Sequence, residues 1–241
     1  MAIRSPSEQL MAALLQPKPK TVFLTGTEAV YRFSLRCTAR IATLRRVIYL
    51  DGANIFDPYE LARYAHQRGF SEETLLKSVF VRRAFTCYQM YEMVARLPID
   101  RLIAGQAVLV VAGPCDTFFD ESITGNRAAR LFYRMLYRLE DVSRADLPML
   151  IVQPNTCSLT ARGYFLTDLR RLGRIELEIG EARSKMLEAR SRTLEARCQR
   201  KEVRSKILSP LASSALFLAS CILPLVSCFP LLASCVLLFT S

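Results

Sequence analysis

The stretch from Val47 to Gln89 (VIYLDGANIFDPYELARYAHQRGFSEETLLKSVFVRRAFTCYQ) sets the terms for the whole chain, because it changes hydrophobic period twice. It opens on a β-branched and aromatic run ending at Asp51, the pattern of a buried strand. Asp57-Pro58 then supplies a capping carboxylate and a proline fit for the first helical position. Leu61, Tyr64 and Ala65 follow at helical spacing, and Gly69 stands where that helix would stop. Ser71 is the expected cap of a second short helix, with Thr74 in place of the acid or amide of a full capping box. Val79-Phe80-Val81 begins another strand that ends at Arg83-Ala84-Phe85.

The rest of the chain repeats this alternation. Ser5–Leu15 reads as an amphipathic helix, and Thr21–Thr25 as a buried strand followed at once by Gly26. Val30–Leu44 has helical spacing, Thr86–Leu97 is a helix closed by Pro98, and Ala107–Ala112 (AVLVVA) is the expected central strand. A loop over Gly113–Thr124, a long helix over Asn126–Val142 and a strand over Leu147–Val152 come next. A helix over Ala161–Leu172 and an alternating strand over Ile175–Ile179 complete the unit. This order predicts an α/β fold with a mainly parallel sheet, helices on both faces, and loops gathered on one sheet edge.

The net charge of +11 is uneven along the 241 residues. Residues 181–208 carry nine Lys/Arg against four Glu, and residues 209–241 carry no charge. The remaining excess on residues 1–180 permits an anionic partner without requiring one. None of the eight cysteines forms a C-x-x-C pair and His66 is the single histidine, so no metal site is expected. His66, on a charged helix face, reads as an exposed side chain. Cys37, Cys87, Cys115 and Cys157 read as small core residues of a reducing compartment, and the chain as cytoplasmic.

The ordered set VIYLD, SVFVRRAFTCYQ, AVLVVA, GNRAARLFYRMLYRLEDV and LPMLIVQPN resembles the core of RecA/RadA-type recombinases, over Thr21 to Ile179. Asp51, Arg83, Ala84, Phe85 and Gln89 carry the most specific part, with Phe56-Asp57-Pro58 and Leu61. The resemblance implies a RecA-like core of the P-loop ATPase superfamily, but its chemistry does not transfer. The phosphate loop G-x-x-x-x-G-K-[ST] reads here Gly26-Thr27-Glu28-Ala29-Val30-Tyr31-Arg32-Phe33. Only Gly26 survives; Tyr31 replaces the second glycine, Arg32 the lysine, and Phe33 the metal-binding hydroxyl. Ala53 stands at the place of the catalytic glutamate, and Ala112-Gly113 at that of the metal-side aspartate. Losing these groups together removes phosphoryl-transfer chemistry. The expectation is therefore a pseudo-ATPase with no catalytic residues and no cofactor, ATP with magnesium being disfavoured. An active NTPase would need Arg32 and Asp116 to compensate.

By the same resemblance, the loops Phe118–Asn126 and Asn155–Arg162 are those that would meet DNA. Arg127, Arg130 and Arg162 are then candidates for phosphates, and Phe118 and Phe119 for base stacking. Solvated arginines and a phenylalanine pair packed under its own loop are the competing readings. The implied role is an accessory protein of DNA recombination or repair. Its partners would be a RecA-family or other repair protein, or single-stranded DNA.

From Glu181 the chain repeats in sevens: EARSKML, EARSRTL, EARCQRK, EVRSKIL, and then LASS, LASC, LVSC, LASC at the same period. Four segments result: an N-terminal helix and lead-in (1–20), a RecA-like core (21–180), a charged repeat helix (181–208) and an apolar repeat tail (209–241). Residues 211–239 exceed the roughly 20 apolar residues needed to cross a bilayer. They would make the chain a tail-anchored, membrane-associated scaffold with a cytoplasmic domain, the alternative function. A second origin is open: the two repeat types read as the arms of an inverted tandem DNA repeat, translated past an ancestral stop near residue 180.

Overall fold

A computed structural model describes residues 5–119, 123–156 and 162–179. The helices are α1 (Pro6–Leu15), α2 (Ala29–Ala42), α3 (Pro58–Arg68), α4 (Glu72–Lys77), α5 (Cys87–Ala95), α6 (Ile99–Ala104), α7 (Gly125–Arg144) and α8 (Tyr164–Arg170). The strands are β1 (Val22–Gly26), β2 (Val47–Asp51), β3 (Val79–Arg83), β4 (Val108–Ala112), β5 (Met149–Val152) and β6 (Ile175–Ile179). They form one sheet in the order β3-β2-β4-β5-β1-β6, and every neighbouring pair is parallel.

Alternate strand residues divide the core into two layers, as the period of two requires. Val22, Leu24, Val47, Tyr49, Val108, Val110, Leu150 and Val152 pack under α1, α2, α3 and α4. Phe23, Leu50, Leu109, Val111, Met149 and Ile151 pack under α5, α6, α7 and α8. The path from β1 through β2 to β3 thus runs beneath one helix layer. The return through β4 and β5 to β6 runs beneath the other, as a single crossover hand demands. This is the expected α/β fold, compatible with a RecA-like architecture. The connections leaving β1 and β5, which are neighbours, diverge over opposite faces. That divergence opens a crevice at the C-terminal strand ends, where ligands of such sheets bind.

The expected punctuation at Asp57, Gly69 and Ser71 is present, and a capping box at Ser5 adds to it. Ser5 and Glu8 form a full capping box on α1 with Pro6 in its first turn, Asp57 accepts the Tyr59 N–H at 2.9 Å, and Gly69 closes α3 with φ 73°. Ser71 accepts from the Thr74 N–H at 3.3 Å. Helix α1 does more than lead in, since Leu10 and Leu14 are fully buried against the core. Three expectations shift. The helix expected to run to Leu97 ends at Ala95, and α6 follows Pro98 as a separate turn. The loop after β4 contains a 3₁₀ turn over Asp116–Phe118. The last helix begins at Tyr164 rather than near Ala161.

Among the described residues, no helix is long and apolar enough to cross a membrane. The repeat helix at 181–208 and the apolar tail at 209–241 lie outside the described residues.

Candidate functional site

The residues singled out by the resemblance converge on the C-terminal edge of the sheet, but they bind one another. At the end of β2, Asp51 is completely buried. Its Oδ1 accepts the Ile55 N–H at 3.1 Å and its Oδ2 the Phe56 N–H at 2.9 Å. Arg83, opposite it at the end of β3, brings Nε to 3.3 Å from Oδ2 and donates from Nη2 to the Phe56 carbonyl at 2.6 Å. The aspartate and arginine thus clamp the turn that leads into α3. Tyr49, two residues before Asp51 and edge-on to Phe56 at 5.0 Å, stays neutral: burial raises its phenol well above the usual range, and the Asp51 charge adds to the effect.

Ala84 is buried, while Phe85 is 69% exposed. Gln89 caps the start of α5, its side-chain oxygen accepting the Phe85 N–H at 2.8 Å. Asp51, Arg83, Ala84 and Gln89 thus have structural tasks, whereas nothing in the fold explains the exposed Phe85 side chain.

The stretch that the resemblance aligns with a phosphate loop shows the same self-satisfaction. Gly26 ends β1 with φ 142°, and a Cβ there would lie 2.3 Å from the Ile179 carbonyl oxygen of β6. That close approach accounts for the glycine without any ligand. Arg32, which the resemblance places at the lysine position, is exposed and pairs with Glu60 in the first turn of α3 at 3.5 Å. Tyr31, in the first turn of α2, donates its hydroxyl hydrogen to Asp116 Oδ2 at 2.5 Å. The other Asp116 oxygen accepts from Gln153 Nε2 at 2.7 Å, and Gln153 Oε1 accepts the Cys115 N–H at 3.0 Å. Gln153 immediately follows β5 and Asp116 follows β4, so this chain of bonds ties α2 to the ends of two central strands. Ala53 sits against Gly113, where an added Cβ would meet Ala53 Cβ at 2.4 Å and Asp116 Oδ2 at 2.6 Å.

Removal of the phenolic hydroxyl tests this bridge. Tyr31→Phe leaves Asp116 one donor short in a half-buried place, and is expected to cost about 1 kcal/mol of unfolding stability in urea titration.

The loop residues divide. Phe118 is fully buried, edge-on to Phe132 at 5.5 Å and Phe165 at 6.2 Å, with Phe119 packed on the same cluster. Phe118 therefore has no free face for a base, which corrects that candidacy; Phe119 is half-buried. Arg162 donates to the carbonyls of Phe118 at 2.6 Å and Ile123 at 2.7 Å, fastening one candidate loop to the other. Arg127 and Arg130 are exposed on α7. His66 lies on the surface, 3.6 Å from Glu72. Residues 120–122 and 157–161 of the candidate DNA loops lie outside the described residues.

Sequence reasoning missed the partnership of Tyr31, Asp116 and Gln153, and the bond from Thr25 Oγ1 to Asn155 Oδ1 at 2.5 Å, which Arg170 also donates to. These contacts join residues far apart in the chain, and one sequence carries no signal for them. Among the described residues, no group of three or more His, Cys, Asp or Glu is arranged to hold a metal ion. Among the described residues, the crevice offers neither an open carboxylate beside a nucleophile nor a lysine directed at a phosphate. No family model matches the chain. The search of curated proteins likewise yields no match.

Proposed function

We propose that this chain is a RecA/RadA-like accessory protein of DNA recombination or repair, a pseudo-ATPase that acts by contact with protein or DNA. The observation that carries the reading is the bridge from Tyr31 through Asp116 to Gln153. In a P-loop protein this crevice is where backbone amides, a lysine and a metal would receive the phosphates. Here a phenol, a carboxylate and an amide are bonded to one another. The carboxylate also places negative charge where a triphosphate would bring more. The one basic substitute, Arg32, is held by Glu60 on the flank of α3. Compensation by Arg32 and Asp116 would therefore require two existing interactions to break. The side chains of Cys37, Cys87 and Cys115 are buried as small core residues, which is in keeping with a cytoplasmic setting.

The accessory role has its own test. The full chain, added to a strand-exchange reaction run by a RecA-type recombinase, is expected to change the rate or yield. An unchanged reaction, with no chain retained on the recombinase or on single-stranded DNA, overturns the role.

A further inference from the structure

We propose that the outer face of α5 and α7 is a docking surface for an acidic segment of a partner protein. The two helices lie side by side in the same direction. The Arg127 guanidinium stands over the Tyr88 ring at 5.2 Å, Arg134 over Tyr91 at 4.8 Å, and Arg138 donates to the Leu97 carbonyl at 3.2 Å. Arg127, Arg130 and Arg134 recur at helical spacing along one exposed stripe, rising about 10 Å along α7. None of the three has a described carboxylate partner. The neighbouring arginines do: Arg138 and Arg144 pair with Asp141, and Arg96 pairs with Glu92. The stripe is thus a local excess of positive charge that no described carboxylate neutralises.

Beside the stripe, Tyr91 and Ala95 face Arg134, Tyr137, Arg138 and Asp141 across a groove of about 340 Å³. Tyr137 is 65% exposed. Tyrosine and arginine on rigid helices are the residues that dominate binding energy at protein interfaces, since little side-chain freedom is lost on contact.

The chemistry favours a carboxylate-bearing peptide over a nucleic acid. The rings of Tyr88 and Tyr91 already carry a guanidinium on one face, which removes a stacking surface that bases would use. Those same guanidiniums belong to exposed side chains, and a guanidinium binds carboxylates in pairs through its planar fork of N–H groups. A segment with three or four acidic residues around one apolar side chain satisfies both parts: carboxylates on the stripe and the apolar anchor in the groove.

The test uses the full chain and a fluorescein-labelled peptide of glutamates around a single phenylalanine, followed by anisotropy. The expected result is saturable binding that weakens with added salt. Arg130→Glu with Arg134→Glu should raise Kd about tenfold or more and create binding to the lysine counterpart of the peptide. Tyr137→Ala, an exposed side chain outside the core, should weaken binding with an unchanged Tm. Absence of saturable binding below about 1 mM overturns the proposal. So does an affinity that ignores both variants, or displacement of the peptide by an oligodeoxythymidylate that binds this face more tightly. The surface does not depend on the crevice, so ATP turnover would overturn the proposed function and leave this result standing.

Discussion

Gly26→Ala is expected to lower unfolding stability by about 4 kcal/mol, in the range reserved for severe lesions. Two costs coincide there. The backbone at φ 142° is one that side-chain-bearing residues rarely adopt, and the new Cβ would lie 2.3 Å from the Ile179 carbonyl oxygen. That neighbour is backbone of β6, whose register pairs Gly26 with Ile179, so relief requires the strand end to move. Gly69 provides the comparison: its φ is also positive at 73°, but a Cβ there meets nothing within 4 Å. Gly69→Ala should therefore cost only about 1 kcal/mol, the left-handed penalty alone. Urea denaturation of both variants separates the clash from the backbone conformation. Equal losses would show that the contact with β6 contributes nothing.

The second large effect belongs to Asp51. Asp51→Ala removes both acceptors of the Ile55 and Phe56 amides and the partner of Arg83. Each charge-assisted bond contributes about 1.5–3 kcal/mol, but relaxation of the turn recovers part of it. The pair with Arg83 adds little, because that side chain is 43% exposed and screened by solvent. A loss of about 3 kcal/mol follows, a fall in Tm of about 6–12 °C for a chain of this size. Arg83→Ala should cost about 1 kcal/mol, since Asp51 keeps both amides. Thermal unfolding followed by circular dichroism reads both variants, and an equal fall would place the stabilisation in the ion pair instead of the amides.

These two positions also show what a single sequence discloses. Asp51 and Gly26 were visible because each closes a short apolar run, and the two periodicities located every strand. The caps at Asp57 and Ser71 were readable because capping is a local bond between residues two or three apart, whereas Ser5 was read as part of the helix it caps. Helix α6 escaped because six residues after a proline carry too little periodicity to separate from the preceding helix. The use made of Arg32 escaped for a different reason. Its identity suggested a lysine substitute, but its direction is set by Glu60 on another helix. Phe118 was read both as a stacking candidate and as packed under its own loop, and Phe132 and Phe165, from α7 and α8, decide for the second. The missing catalytic groups were legible as absences. That Tyr31, Asp116 and Gln153 bond to one another became visible only when the strand order brought β1, β4 and β5 together.

The bond from Tyr31 to Asp116 makes the account's central claim specific: the crevice is satisfied by its own side chains and does not process nucleotide. Titration of the full chain with ATP and magnesium in a calorimeter, with phosphate release followed on the same samples, tests it most directly. The predicted result is no heat of binding at micromolar nucleotide and no phosphate released above the protein-free rate. Micromolar, magnesium-dependent binding with turnover would contradict it.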